Sequence, residues 1–176
     1  MKKLKIAMTV IFLAIIAWIV FRYLWVSNFN RGSEYMIKGK YDQAILCFDK
    51  TIKIKPKFAP AYCNRGTSYF EKGEYERAIQ DFTKTLEIDP KFATAYCNRG
   101  NSYYEKGEYE KAIQDFTKSL EINPKLAEAH YNRAAAYFQK KEYDKAWENV
   151  NKAQSMGYQI SPDFLNALRD ASGREK

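Results

Sequence analysis

The residues of this chain repeat every 34 positions, and two neighbouring copies are nearly the same text. Positions 61–93 read AYCNRGTSYFEKGEYERAIQDFTKTLEIDPKFA and positions 95–127 read AYCNRGNSYYEKGEYEKAIQDFTKSLEINPKLA, with six differences between them. A fixed period of this length demands stacked units, because one unit alone cannot bury its own apolar face. Such stacks expose a long continuous surface, and surfaces of that kind are usually used for binding.

Extending the frame gives four copies, starting near Trp25, Ala59, Ala93 and Ala127 (25–58, 59–92, 93–126 and 127–160). A small residue recurs where two helices must approach closely: Gly32, Gly66, Gly100, then Ala134. Tyr35, Tyr69, Tyr103 and Tyr137 follow three positions on. Gly39, Gly73 and Gly107 suit left-handed helix C-caps, whereas the fourth turn carries Lys141 and is expected to be more strained. Tyr75, Ala78, Ile79, Phe82 and Leu86 then space out an amphipathic second helix. Pro56, Pro90 and Pro124 end these second helices.

These residues resemble the tetratricopeptide repeat, which sets a large residue, Gly, Tyr, Ala, Phe and Pro at fixed offsets within a unit of this same length. Tyr62, Gly66, Tyr69, Ala78, Phe82 and Pro90 fill the offsets in one copy, and Tyr96, Gly100, Tyr103, Ala112, Phe116 and Pro124 in the next. The end copies are looser: Asn28 opens the first, and His130, Ala134, Val150 and Tyr158 depart from the pattern in the fourth. The resemblance implies an all-α, right-handed superhelical solenoid of four helix-turn-helix units over 25–160. Ser161-Pro162-Asp163 reads as a helix start, so a capping helix is expected over 161–170, with a frayed tail over 171–176.

Charge is unevenly placed. The total is +8, and positions 1–24 hold Lys2, Lys3, Lys5 and Arg22 with no acid. Beyond them, charges of both signs alternate along the second helices, as a solvated face does, and no nucleic-acid partner is expected. Residues 6–21 are apolar and uncharged, and extending the run through Tyr23, Leu24, Trp25 and Val26 brings it to spanning length. A transmembrane signal-anchor helix over 6–26 is therefore expected, with Tyr23 and Trp25 in the interfacial belt. A cleaved signal peptide is the rival reading, but bulky Ile15 and Trp25 precede the small residues where a cut would fall. The excess of lysine before the segment places a basic N-terminus (1–5) in the cytoplasm and the repeats outside it, in the periplasm if the source is bacterial.

Of three cysteines, Cys63 and Cys97 stand one full period apart, as one duplicated cysteine would. Equivalent first helices are separated by about 10 Å, too far for a disulfide. The one histidine, His130, fills the slot of Tyr62 and Tyr96 and reads as a packing residue. Zinc spacing, a phosphate-binding glycine loop and a nucleophile–base pair are all missing from the sequence, so no catalytic residue, metal or cofactor is expected.

In the family that the repeat resembles, first helices line a concave groove. Position by position this implies four ladders: Phe29, Cys63, Cys97 and Tyr131; Asn30, Asn64, Asn98 and Asn132; Ser33, Thr67, Asn101 and Ala135; Met36, Phe70, Tyr104 and Phe138. A carboxamide both donates and accepts, so the asparagines suit the main chain of an extended peptide, and equally a structural role in the recurring Asn-Arg-Gly block. Arg31, Arg65, Arg99 and Arg133 depart from the family's apolar residue and suit bridges to Asp81 and Asp115, or an anion site. These ladders hold no lysine, so the carboxylate clamp of chaperone-binding members is disfavoured. The expected role is a non-enzymatic, membrane-anchored adaptor that binds a protein or extended peptide. A permanent subunit of a larger complex, self-association, and a secreted repeat protein are the alternatives.

Overall fold

The computed structural model describes residues 2–174, without the side chains of 2–7 and 17–22. Nine α-helices and no strand occur among the described residues: α1 (Lys2–Ile37), α2 (Tyr41–Ile54), α3 (Ala59–Glu71), α4 (Tyr75–Ile88), α5 (Ala93–Glu105), α6 (Tyr109–Ile122), α7 (Ala127–Gln139), α8 (Tyr143–Ser155) and α9 (Pro162–Ser172). The helices stack in antiparallel pairs, α1 on α2 through α7 on α8, and each pair packs on the next. This is an all-helical solenoid. Asp42, Glu76, Glu110 and Asp144 sit in the first turns of the second helices, at the positive end of each helix dipole. Gly39, Gly73 and Gly107 turn the chain at φ of 68°, 75° and 75°, and Lys141 is forced into the same left-handed region at 62°. Ser161 accepts the Phe164 amide at 3.1 Å and so caps α9.

Each repeat is held by one close crossing. Phe48, Phe82 and Phe116 are wholly buried, each ring lying against Gly32, Gly66 or Gly100. A Cβ at those glycines would stand 2.6, 2.9 and 2.7 Å from the facing ring. In the fourth repeat the pair is Ala134 and Val150, both fully buried, with the smaller valine leaving space for the methyl group.

Neighbouring repeats are laced together by the arginines. The Arg65 guanidinium donates to both oxygens of Asp81, at 2.7 and 2.6 Å, and also reaches Asp49 of the preceding repeat. Arg99 binds Asp115 in the same fork at 2.7 and 2.8 Å and donates to Thr83 at 3.0 Å. Arg133 meets Asn149 and Thr117 instead, so burial without a carboxylate pulls its pKa down. These contacts answer the choice left open by the sequence. The Arg65, Arg99 and Arg133 guanidiniums tie helices together, whereas Arg31 is exposed and meets Tyr35 of its own helix.

A second lacing runs along the turns. Lys72, Lys106 and Lys140 each bridge an acid of the preceding repeat, Asp42, Glu76 or Glu110, to one of their own, Glu74, Glu108 or Glu142. Hydrogen bonds from Lys106 and Lys111 hold the Glu108 carboxyl below its ordinary value of 4.5, and Lys140 and Lys145 do the same for Glu142. A carboxylate depressed in the folded state stabilises above the unfolded value and loses that contribution as pH falls through the folded one. The melting temperature, followed by circular dichroism, should therefore fall as pH drops below about 4.5. A Glu108→Gln, Glu142→Gln variant should show a shallower fall; an identical acid limb in both proteins would rule out these glutamates as its source.

The N-terminus corrects the sequence reading. Among the described residues no helix is long and apolar enough to cross a membrane. Trp25, assigned above to an interfacial belt, packs edge-on against Phe58 at 5.0 Å, with the Lys55 ammonium 4.1 Å above its ring. The half-buried ring thus packs on the first repeat. The expected signal anchor over 6–26, the membrane as a partner, and the extracytoplasmic placement of the repeats are accordingly not supported. The side chains of 2–7 and 17–22, within the expected basic N-terminus and anchor, lie outside the described residues, as do Met1 and residues 175–176 of the expected tail.

Candidate functional site

The first helices α3, α5 and α7 present their inner faces to one continuous groove. Two adjoining cavities, of about 290 and 180 Å³, run along it and share Phe70, Asn101 and Glu128. The larger lies between α5 and α7 over Tyr104, Tyr131 and Asn132. The smaller extends to Thr67 and Asn98 on the α3 side. The floor is built from below. Phe70 rests on Tyr75 at 5.5 Å and Tyr104 on Tyr109 at 5.4 Å, so each groove ring is backed by the first residue of its repeat's second helix. At the far end Tyr131 packs on Phe164 of α9, as does Phe138, and these contacts bring α9 against the fourth repeat's first helix.

The ladders inferred from the sequence divide in this geometry. Thr67, Phe70, Asn98, Asn101, Tyr104, Tyr131 and Asn132 line the two cavities together, with Ala135. Phe29 is turned into the first repeat, against Phe48 and Phe58. Ser33 returns its hydroxyl to the Phe29 carbonyl, Met36 is half-buried, and Asn30 is exposed. Asn64 is half-buried and does not border the cavities. Phe138 stacks between Tyr143 and Phe164.

Cys63 and Cys97 are buried and unbridged, and burial pushes both thiols up to about 12, so they stay protonated and inert near neutral pH. His130 is buried too. Its ring reaches the Pro124 carbonyl as the Tyr62 hydroxyl reaches that of Pro56.

Two rungs of the asparagine ladder reach across to the preceding repeat. Asn98 donates to the Thr67 hydroxyl at 3.3 Å, and Asn132 to the Asn101 side-chain oxygen at 2.8 Å. Each amide thereby uses one hydrogen to hold neighbouring first helices in register. The sequence reading missed three groove residues, Glu71, Glu105 and Glu128. The signal was present: Glu71 follows Thr67 by four, Glu105 follows Asn101 by four, and Glu128 precedes Asn132 by four, which is one helix face. Among the described residues no group of three or more His, Cys, Asp or Glu side chains could hold a metal ion.

The sequence profile described as TPR repeat matches residues 32–70, 66–107 and 100–141, and a second, described as tetratricopeptide repeat, matches 127–156. The chain belongs to the tetratricopeptide-repeat family. No curated protein sequence matches this tetratricopeptide-repeat chain. Solved structures do. A crystal structure of MamA is 27% identical over 76% of this chain and 78% of its own, with a TM-score of 0.72. A second MamA crystal structure is 25% identical over 85% and 83%, with a TM-score of 0.73. The second TPR domain of human RPAP3, solved in complex with the HSP70 peptide SGPTIEEVD, is 27% identical over 66% of this chain and 97% of that one, with a TM-score of 0.63.

Proposed function

We propose that this TPR protein is an interaction module that binds an extended segment of a partner protein along α3, α5 and α7. The observation that carries the reading is the continuous groove itself, with aromatic rings on its floor and half-engaged carboxamides between them. Rings accept apolar side chains, and amides meet a main chain, so one surface serves both halves of a peptide. The solved RPAP3 domain, similar in fold and 27% identical, holds a peptide according to its description.

Selection of a random phage-displayed peptide library on the immobilised chain tests the reading. Peptides should be recovered whose binding weakens at least about tenfold in a Phe70→Ala, Tyr104→Ala variant, the ordinary cost of removing aromatic anchors from an interface. Selected peptides that bind that folded variant undiminished would place recognition elsewhere. The same selection separates the groove from its asparagine rungs: an Asn98→Ala, Asn132→Ala protein that folds and binds normally leaves those two amides a structural role alone.

A further inference from the structure

Charge within the groove runs against charge outside it. The chain as a whole has 29 basic and 21 acidic residues. Yet Glu71, Glu105 and Glu128 border the cavities, and no lysine or arginine does. Along the turns, Glu74, Glu108 and Glu142 are each paired with two cations. In the groove, Glu105 and Glu128 make no ion pair and no side-chain hydrogen bond among the described residues. Glu71 accepts only the Tyr41 hydroxyl, at 3.4 Å. A chain with cations to spare leaves these carboxylates without a cation, in one lining with Phe70, Tyr104 and Tyr131. Carboxylates and aromatic rings in one lining match one kind of side chain, a lysine or arginine whose apolar stem lies on a ring while its head reaches an acid.

We infer that the groove selects a basic extended segment of a partner protein, with lysine or arginine side chains directed at Glu71, Glu105 and Glu128 and apolar ones on the intervening rings. This rests on the groove being the binding surface, as proposed above. The polarity is opposite to that of an acidic tail such as the EEVD end of the peptide held by the RPAP3 domain. Net charge works as a built-in control, since unspecific attraction to a +8 chain would favour an acidic ligand.

Fluorescence anisotropy with three labelled twelve-residue peptides decides it. They share alternating leucine and phenylalanine positions and carry lysine, glutamine or glutamate between them. The lysine peptide should bind the full chain up to about tenfold tighter than the glutamine peptide, as expected for three exposed ion pairs of about 0.5 kcal/mol each. That advantage should vanish in a Glu71→Gln, Glu105→Gln, Glu128→Gln variant with an unchanged melting temperature, and shrink with added salt. A lysine preference that survives the triple substitution overturns the inference. So does a lysine peptide no better than glutamine while glutamine binding is still lost in Phe70→Ala, Tyr104→Ala, though the groove then stands. Should none of the three bind, or all bind indifferently to the aromatic substitutions, the groove reading falls and this inference with it.

Discussion

Replacing Gly100 with alanine will destabilise the domain by about 1–2 kcal/mol, although the same change in an open helix interior stabilises by about 1 kcal/mol. The reversal comes from the added Cβ, which would stand 2.7 Å from Cε1 of Phe116, a ring with no exposed surface and nowhere to retreat. The fourth repeat already contains the remedy, in the pair Ala134 and Val150. Phe116→Val alone leaves a cavity and should cost about 2–3 kcal/mol. Combined with Gly100→Ala it should cost at least about 1 kcal/mol less than the sum, because the methyl fills space the ring has left. Denaturant melts of the two single variants and the double one give this coupling directly. Strict additivity would show that the crossing distance is not set by this contact.

A larger loss is expected at the arginine lacing. Asp115→Ala removes the carboxylate paired with Arg99 and leaves a guanidinium at 19% side-chain exposure with the Thr83 hydroxyl and the Tyr96 ring beside it. Breaking a buried pair from one side costs about 3–5 kcal/mol, well above an exposed ion pair at about 0–1 kcal/mol. Asp115→Asn copies Asn149 of the fourth repeat, which retains an acceptor for Arg133 Nε at 2.9 Å, and should cost only about 1–2 kcal/mol. The separation between the two substitutions, read from denaturant melts, is the informative quantity. Equal losses would mean that charge, rather than the hydrogen-bond fork, is what Arg99 requires.

The solenoid was legible in the sequence because its rules are local. The repeat period, glycines at the close crossings and prolines past the second helices each act within one unit or between neighbours, and the arginine–aspartate pairs follow from a fixed offset of 16 residues. Two readings stopped short for physical reasons. Hydropathy alone counted Trp25 with the apolar run before it, yet what holds that ring is Phe58, in the connection that follows α2. The groove was assembled from four ladders carried over position by position from the family's first helices, and the positions of Glu71, Glu105 and Glu128 are not among them. Its carboxylates escaped because glutamate on a helix surface ordinarily means solvent. Their significance arises only when packing surrounds them with rings and leaves lysine and arginine out of the lining. Burial divides the remaining ladder positions, since Cys63 and Cys97 occupy the same helices as the groove asparagines but face the core.

The pair α3–α4 and α5–α6 are two printings of one unit, and that bears on how a ligand chooses its place. A peptide short enough to touch one repeat meets similar chemistry twice, the groove positions differing at Thr67 against Asn101 and Phe70 against Tyr104, and two near-equivalent registers favour binding by at most RT ln 2, about 0.4 kcal/mol. Such a ligand could step between registers by exchanging Thr67 for Asn101 and Phe70 for Tyr104. Glu128 adds a difference of charge: the corresponding residues of the preceding repeats are Pro60 and Thr94. A ligand long enough to reach α7 therefore has a single address, and its length decides whether it slides or stays.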